Sequence, residues 1–309
     1  ISGGEPTLHP ALPDLVDHAT KNLRMAVDLQ TNAIRMGRKK YLQKLFDAGL
    51  RGIFVSYHSS NPEVSDSMTR APKTHIPTVK GVEASLAIGI QVRLNCVVER
   101  ANHHLLHEHA RQIVDQFVTP FPDNPIRQVT YSFPSAYYDM EDFRKNVVPL
   151  DQIKPHLSAA VRILLKANVP VTAVGTCGFP LCMLSDDPEA LWWVAPNEVD
   201  TMDASGRNYG EVCDQCTMKS RCLGIRQEYF EAWGERGLLP FTTVPDATKT
   251  FKYLISRTPK LRVVRRERVV YLEDPDGNSP EHYDSHMVHF PVICGPITAF
   301  NMHHRLDPG

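Results

Sequence analysis

The chain has no long apolar run. No uncharged hydrophobic stretch reaches the roughly 18 residues of a membrane-spanning helix, so no membrane partner is expected. It has no charge bias: 34 Lys and Arg stand against 35 Asp and Glu, a net charge of −1. Without a basic field to draw a phosphate backbone, nothing argues for nucleic-acid binding. Internal repeats and low-complexity tracts are absent, and no Cys precedes Cys96. The seven Cys fall in metal-like spacing, which points to a reducing, cytoplasmic setting over a disulfide framework. The fourteen His form no His-Glu-x-x-His pattern. His103 and His107 are four apart on a predicted helix with His104 and His109, and this cluster reads as a solvated face.

What is present starts at the first residue. Ile1-Ser2-Gly3-Gly4-Glu5-Pro6 is a short apolar entry into two glycines, an acid and a proline. It predicts a strand ending in a tight loop whose backbone and carboxylate face a ligand. Glycine permits close backbone approach, and proline sets the entry to the helix that follows. The Glu5 carboxylate suits an ammonium group by charge and hydrogen bonding.

The second motif is Cys213-Asp-Gln-Cys216, with five residues before Cys222. Cys182 lies upstream in Gly178-Phe179-Pro180-Leu181-Cys182. Four thiolates close a metal or iron–sulfur site, and spacing alone leaves zinc and a cluster both open. Asp, Gln, Lys and Arg surround Cys213, Cys216 and Cys222, which sets them apart from buried free thiols. Cys177 is the alternative to Cys182 as fourth ligand, Cys96 reads as a packing residue, and Cys294 sits in an unassigned tail.

Between the motifs, strands and helices alternate. Strands are predicted at 24–30, 52–57, 90–98, 127–133 and 170–174, with helices at 38–49, 76–88, 102–118 and 150–168. Such βα alternation makes a parallel sheet with right-handed crossovers, an α/β fold. Ligands gather at the carboxyl ends of such strands. That rule nominates Glu5, Thr31, Asn32, Ser56, Tyr57, His58, Asn95 and Ser132. Ser56 and Asn95 suit a carboxylate or ribose hydroxyls; the competing reading of each strand end is a cap or turn residue.

Taken together, the glycine loop and the Cys run resemble the radical S-adenosylmethionine (radical SAM) superfamily. Gly3, Gly4, Glu5 and Pro6 look like the family's loop after its second barrel strand, which holds the methionine amino group of the cofactor. Thr31-Asn32-Ala33 is similar to its Thr-Asn-Gly, with Ala33 replacing the glycine. Cys213, Cys216 and Cys222, with Gly224 after them, resemble the auxiliary-cluster extension called SPASM or, in shorter form, twitch. Arg226 stands where the longer pattern has a further Cys, so the shorter form fits. Pro-Leu-Cys resembles the entry to that site and favours Cys182 over Cys177.

The resemblance implies a partial (β/α)6 barrel over 1–174 lacking its first strand and helix. An auxiliary-cluster region over 175–240 and a tail over 241–309 would follow. Ser56 and Asn95 would sit near cofactor ribose and carboxylate contacts. The defining Cys-x-x-x-Cys-x-x-Cys loop would precede Gly3, so the expectation is a fragment. Its parent protein would carry the catalytic [4Fe–4S] cluster, which the fragment would lack together with activity. S-adenosyl-L-methionine, an auxiliary [4Fe–4S] cluster on Cys182, Cys213, Cys216 and Cys222, and an external electron donor complete the implied set. The implied reaction is hydrogen abstraction by a 5′-deoxyadenosyl radical, first from a peptide or protein. The alternatives are a small-molecule or nucleotide substrate, or a non-catalytic α/β protein with a structural zinc site of four cysteines.

After the Cys run, residues 223–237 predict a short amphipathic helix ending in glycine. Its Ile225, Tyr229 and Trp233 are expected to cover the site against water. Residues 262–273 predict a strand pair, and Pro275-Asp276-Gly277-Asn278 a turn.

Overall fold

Buried β-branched and leucine runs separated by amphipathic helices build the sheet of this protein. A computed structural model describes residues 1–134, 139–173, 178–191, 206–245, 262–266 and 269–273. The chain divides into two compact units, Ile1–Thr130 and Tyr131–Gly309. Cys177, Cys294 and the 275–278 turn lie outside the described residues.

In the first unit, α1 (Leu12–Asp17) precedes β1 (Asp28–Thr31), and α2 (Lys39–Asp47) precedes β2 (Gly52–Ser56). Two helices follow, α3 (Pro62–Thr69) and α4 (His75–Ala87), then β3 (Gln91–Val97), α5 (Leu106–Ile113) and β4 (Gln128–Ser132). β1, β2 and β3 pair in parallel, with Leu29 beside Ile53 and Val55 beside Leu94. All four side chains are fully buried, as the apolar runs of a covered parallel sheet require. Arg93 of β3 is also buried, and its guanidinium pairs with Asp28 and lies 5.0 Å over the Phe54 ring. A charge so placed needs a partner of opposite sign.

α3 was not foreseen, yet its start is written in the sequence. Asn61 accepts from the amides of Glu63 (2.9 Å) and Val64 (3.1 Å), and Pro62 follows it. α5 continues into a π-helical turn, Val114–Val118, so the expected 102–118 helix is present with a changed pitch.

In the second unit, α6 (Met140–Asn146) and α7 (Leu150–Lys166) precede β5 (Val171–Thr172). The strand order is β1-β2-β3-β4-β5, the α/β sheet expected from the sequence. Beyond it, β6 (Arg207–Asn208) and β7 (Ile225–Arg226) form a small antiparallel pair. α8 (Gln227–Trp233) follows, then β8 (Arg262–Arg266) antiparallel to β9 (Val269–Glu273), the strand pair read from sequence. α8 is shorter than the predicted 223–237, because β7 takes its start and Gly234, at φ +57°, stops it. Among the described residues no helix is long and apolar enough to cross a membrane.

Candidate functional site

The glycine loop is held open by its own backbone. Gly3 and Gly4 adopt φ of +108° and +49°, conformations that disfavour any side chain. A Cβ at either would meet nothing within 4 Å, so the loop faces free space. Glu5 is committed inward. Its Oε1 accepts from the Thr7 amide (3.0 Å), the Thr7 hydroxyl (2.6 Å) and the Thr31 hydroxyl (2.7 Å). Its Oε2 accepts from the Asn32 amide at 2.7 Å. A carboxylate has about four lone-pair sites, so most of Glu5 is taken up in tying the loop to the end of β1. Pro6, buried, opens the short 3-10 turn Pro6–Leu8 that Glu5 caps.

The bend after β1 is built on an alanine in a conformation that glycine favours. Ala33 sits at φ +60°, the left-handed region glycine favours, at a strain of order 1 kcal/mol. Its amide donates to Thr31 Oγ1 (3.1 Å), and the Asn32 carbonyl accepts from Thr78 of α4 (3.0 Å). Gly81 of α4 makes the approach possible: a Cβ there would lie 1.9 Å from the Ala33 carbonyl oxygen.

At the next strand ends, Ser56 and Asn95 stand side by side in register. Ser56 is exposed and Asn95 half-buried, so both reach the carboxyl edge. Ser132 ends β4 but is buried. Tyr57 turns inward between two imidazoles, stacking on His109 (ring centroids 5.1 Å apart) and His75 (5.7 Å). Its hydroxyl bonds Gln112, and His109 Nε2 lies 3.0 Å from the Tyr57 carbonyl. Burial drives His109 and His58 down to about 4 and lowers His75, so these imidazoles are neutral at pH 7. The solvated-face reading of the His cluster is thus corrected for His109, which is buried. Leu106, His109, Ala110 and Ile113 share one apolar face, and that 3-4-7 spacing was the missed signal. Cys96 packs as expected, its thiol donating to the His58 carbonyl at 3.3 Å.

The second unit gathers the other candidates. Cys182 comes from a 3-10 turn, Leu181–Leu184; Cys213, Cys216 and Cys222 come from two further 3-10 turns and their ends. All four line one partly open cavity of about 400 Å³, walled by apolar groups including Leu181, Met218, Ile225 and Phe241. Backbone amides aim at the sulfurs. Gly224 (3.3 Å) and Leu181 (3.5 Å) donate to Cys222 Sγ, and Phe241 (3.3 Å) to Cys216 Sγ. The backbone of Leu239 bonds Cys182, and that of Gly210 bonds Cys213. Gly224 is required in two ways: φ is +71°, and a Cβ would lie 2.2 Å from the Asn208 carbonyl oxygen.

Burial, with the neighbouring cysteines adding, pushes the Cys182 thiol up to about 12. Burial likewise raises Cys213 and Cys222. Close, buried thiols cannot ionise together unless a cation compensates them.

Two expected covers are elsewhere. Ile225 lines the cavity, but Tyr229 is held away, its hydroxyl accepting from the Leu150 amide (3.0 Å) and donating to the Arg236 carbonyl. Trp233 is half-buried and is not among the lining residues. Tyr209 and the 238–241 stretch line the cavity instead, a contribution without a motif to announce it.

Residues 1–113 match the model of the Radical SAM superfamily. The match spans just over a third of the chain. The chain is similar to a probable GTP 3′,8-cyclase of Methanococcus maripaludis, 37% identical over 91 residues, covering 29% of each chain. It is also similar to a PqqA peptide cyclase of Rhodopseudomonas palustris, 31% identical over 106 residues, 34% of this chain and 28% of that one. The alignments thus span less than a third of these relatives' length. Among solved structures, Streptococcus suis SuiB bound to S-adenosylmethionine aligns with 72% of this chain and 60% of its own, at 13% identity and TM-score 0.47.

Within the matched segment the residues fit a cofactor with ammonium, carboxylate and ribose groups. The loop offers free backbone, and Ser56 and Asn95 offer neutral polar groups at one edge. In the second unit, the donor chemistry suits an iron–sulfur cluster: four thiols, an apolar wall and N–H donors to sulfur. Among the described residues no three His, Cys, Asp or Glu are grouped to hold a single metal ion.

Proposed function

We propose that this chain is part of a radical SAM enzyme with two cofactor sites. The backbone of Gly3 and Gly4, with Ser56 and Asn95, takes S-adenosylmethionine. Glu5 and Pro6 shape that loop, and the free lone pair of Glu5 Oε2 faces the ammonium. Cys182, Cys213, Cys216 and Cys222 hold an auxiliary [4Fe–4S] cluster of the twitch type. The cofactor and its catalytic cluster supply one-electron hydrogen abstraction; the chain orients, desolvates and hydrogen-bonds them. The observation that carries the cluster reading is the convergence of four thiols on one apolar-walled cavity, with backbone N–H groups donating to Cys216 and Cys222.

A peptide or protein is the first substrate class to test, and a nucleotide the second, because the similar proteins are named for both. A structural zinc site is the competing reading of the cysteines. Anaerobic reconstitution with iron and sulfide tests it. The expected product is brown, with broad thiolate-to-iron absorption that Cys213→Ala and Cys222→Ala abolish. Colourless protein carrying stoichiometric zinc would overturn the cluster assignment. Equilibrium dialysis with S-adenosylmethionine tests the other site: Asn95→Ala should weaken binding about tenfold, the loss of one good hydrogen bond.

A further inference from the structure

Cys182 has a problem its three partners lack. Cys213, Cys216 and Cys222 lie within one short stretch, whereas Cys182 arrives from a separate segment. Its 3-10 turn spans four residues and has no side-chain cap. Something outside the turn must fix the sulfur.

α7 provides it. Lys154, Ser158 and Arg162 are spaced four apart, so they form one row along the helix. All three reach the residues that follow the Cys182 turn. Lys154 Nζ donates to Ser185 Oγ (2.6 Å) and pairs with Asp186 (3.3 Å). Ser158 donates to Asp187 Oδ2, and Arg162 Nε donates to Asp187 Oδ1 at 2.5 Å. The Asp187 side chain is only 5% exposed, so water screens these bonds little. The beginning of the same helix grips the other side of the cavity. Arg236 Nε donates to Asp151 (3.0 Å), and Gly237, at φ +82°, packs so closely that a Cβ would lie 2.5 Å from the Asp151 amide nitrogen. Leu238 and Leu239, which follow directly, line the cavity.

We propose that Lys154, Ser158, Arg162 and Asp187 are positioning residues that hold Cys182 at the cavity before any metal arrives. α7 is then the template that sets the fourth ligand against the other three. The inference rests on the cluster reading for its purpose, but its geometry is tested without a cluster.

The experiment is alkylation of the metal-free full chain by iodoacetamide, read cysteine by cysteine by peptide mass. Asp187→Ala should raise the Cys182 rate at least tenfold and leave Cys213 and Cys96 at their original rates. Arg162→Lys, which keeps the charge, should restore most of the protection that Arg162→Ala loses. After anaerobic reconstitution, Asp187→Ala should fall from about four irons per chain to about three, with the paramagnetic signal of a three-iron cluster. An unchanged Cys182 rate in Asp187→Ala overturns the proposal. So does a joint rise at Cys182, Cys213 and Cys96, which would mean general unfolding. If the wild type takes up no iron while Cys182 alone is unmasked by Asp187→Ala, the positioning stands and the cluster reading falls.

Discussion

The two units solve the same problem by opposite means. In the first, polar groups are fixed by regular structure: Ser56 and Asn95 are set by strand register, and Tyr57 by stacking between two imidazoles. In the second, the cysteines ride on short 3-10 turns, and position comes from individual side-chain and amide contacts. The first site is supported by a core shared over many residues. The second depends on a few bonds, each of which matters separately.

The sharpest way to break this contrast is to attack the tightest backbone approach in the first unit. Gly81→Ala forces a methyl into the Ala33 carbonyl and should cost about 3 kcal/mol or more. Urea unfolding should show the loss, and a normal midpoint would mean that α4 can slide. Gly237→Ala in the second unit should cost less in global stability and more in Cys182 protection.

Acid should separate the units next. His109 is about 4 in the fold against an ordinary 6.5, so the unfolded chain binds the extra proton between those values. Its contribution is complete above about pH 6.5, falls as the pH drops towards 4, and is level below that. The full loss is on the order of 3 kcal/mol. His109→Gln should reduce the dependence in urea midpoints taken at pH 7 and pH 5, with His58 keeping its own share; an equally steep slope would place the effect on other groups.

Smaller effects sharpen the comparison further. Thr31→Val removes the hydroxyl between Glu5 and the Ala33 amide, and should cost about 1–2 kcal/mol by thermal unfolding. Lys21→Ala, which removes an exposed pair with Asp17, should change stability by no more than about 0.5 kcal/mol.

How far the sequence could be read follows the same division. β2, β3, β4, α2, α4 and α7 were legible within two residues, because their burial periodicity is strong. That Cys213, Cys216 and Cys222 would share one neighbourhood was legible from their spacing, whereas Cys182 was nominated by the resemblance. Tyr229 was misplaced, since its fate depends on Leu150 far away in the chain. The inward commitment of Glu5 was hidden for the same reason: Thr7 lies close in sequence, but the decisive partners, Thr31 and Asn32, are a strand away. The 238–241 lining offers amides and aliphatic bulk, which no motif marks.

The Glu5 carboxylate has one consequence beyond holding a loop. It joins the glycine turn to Thr31 and Asn32, and the next residue, Ala33, is pressed against Gly81 of α4. These pieces therefore open together as one cooperative block. The amide of Asn32 should exchange with deuterium at the rate of α4, not of a surface loop. A molecule that settles on the glycine backbone should slow exchange in a helix it never touches.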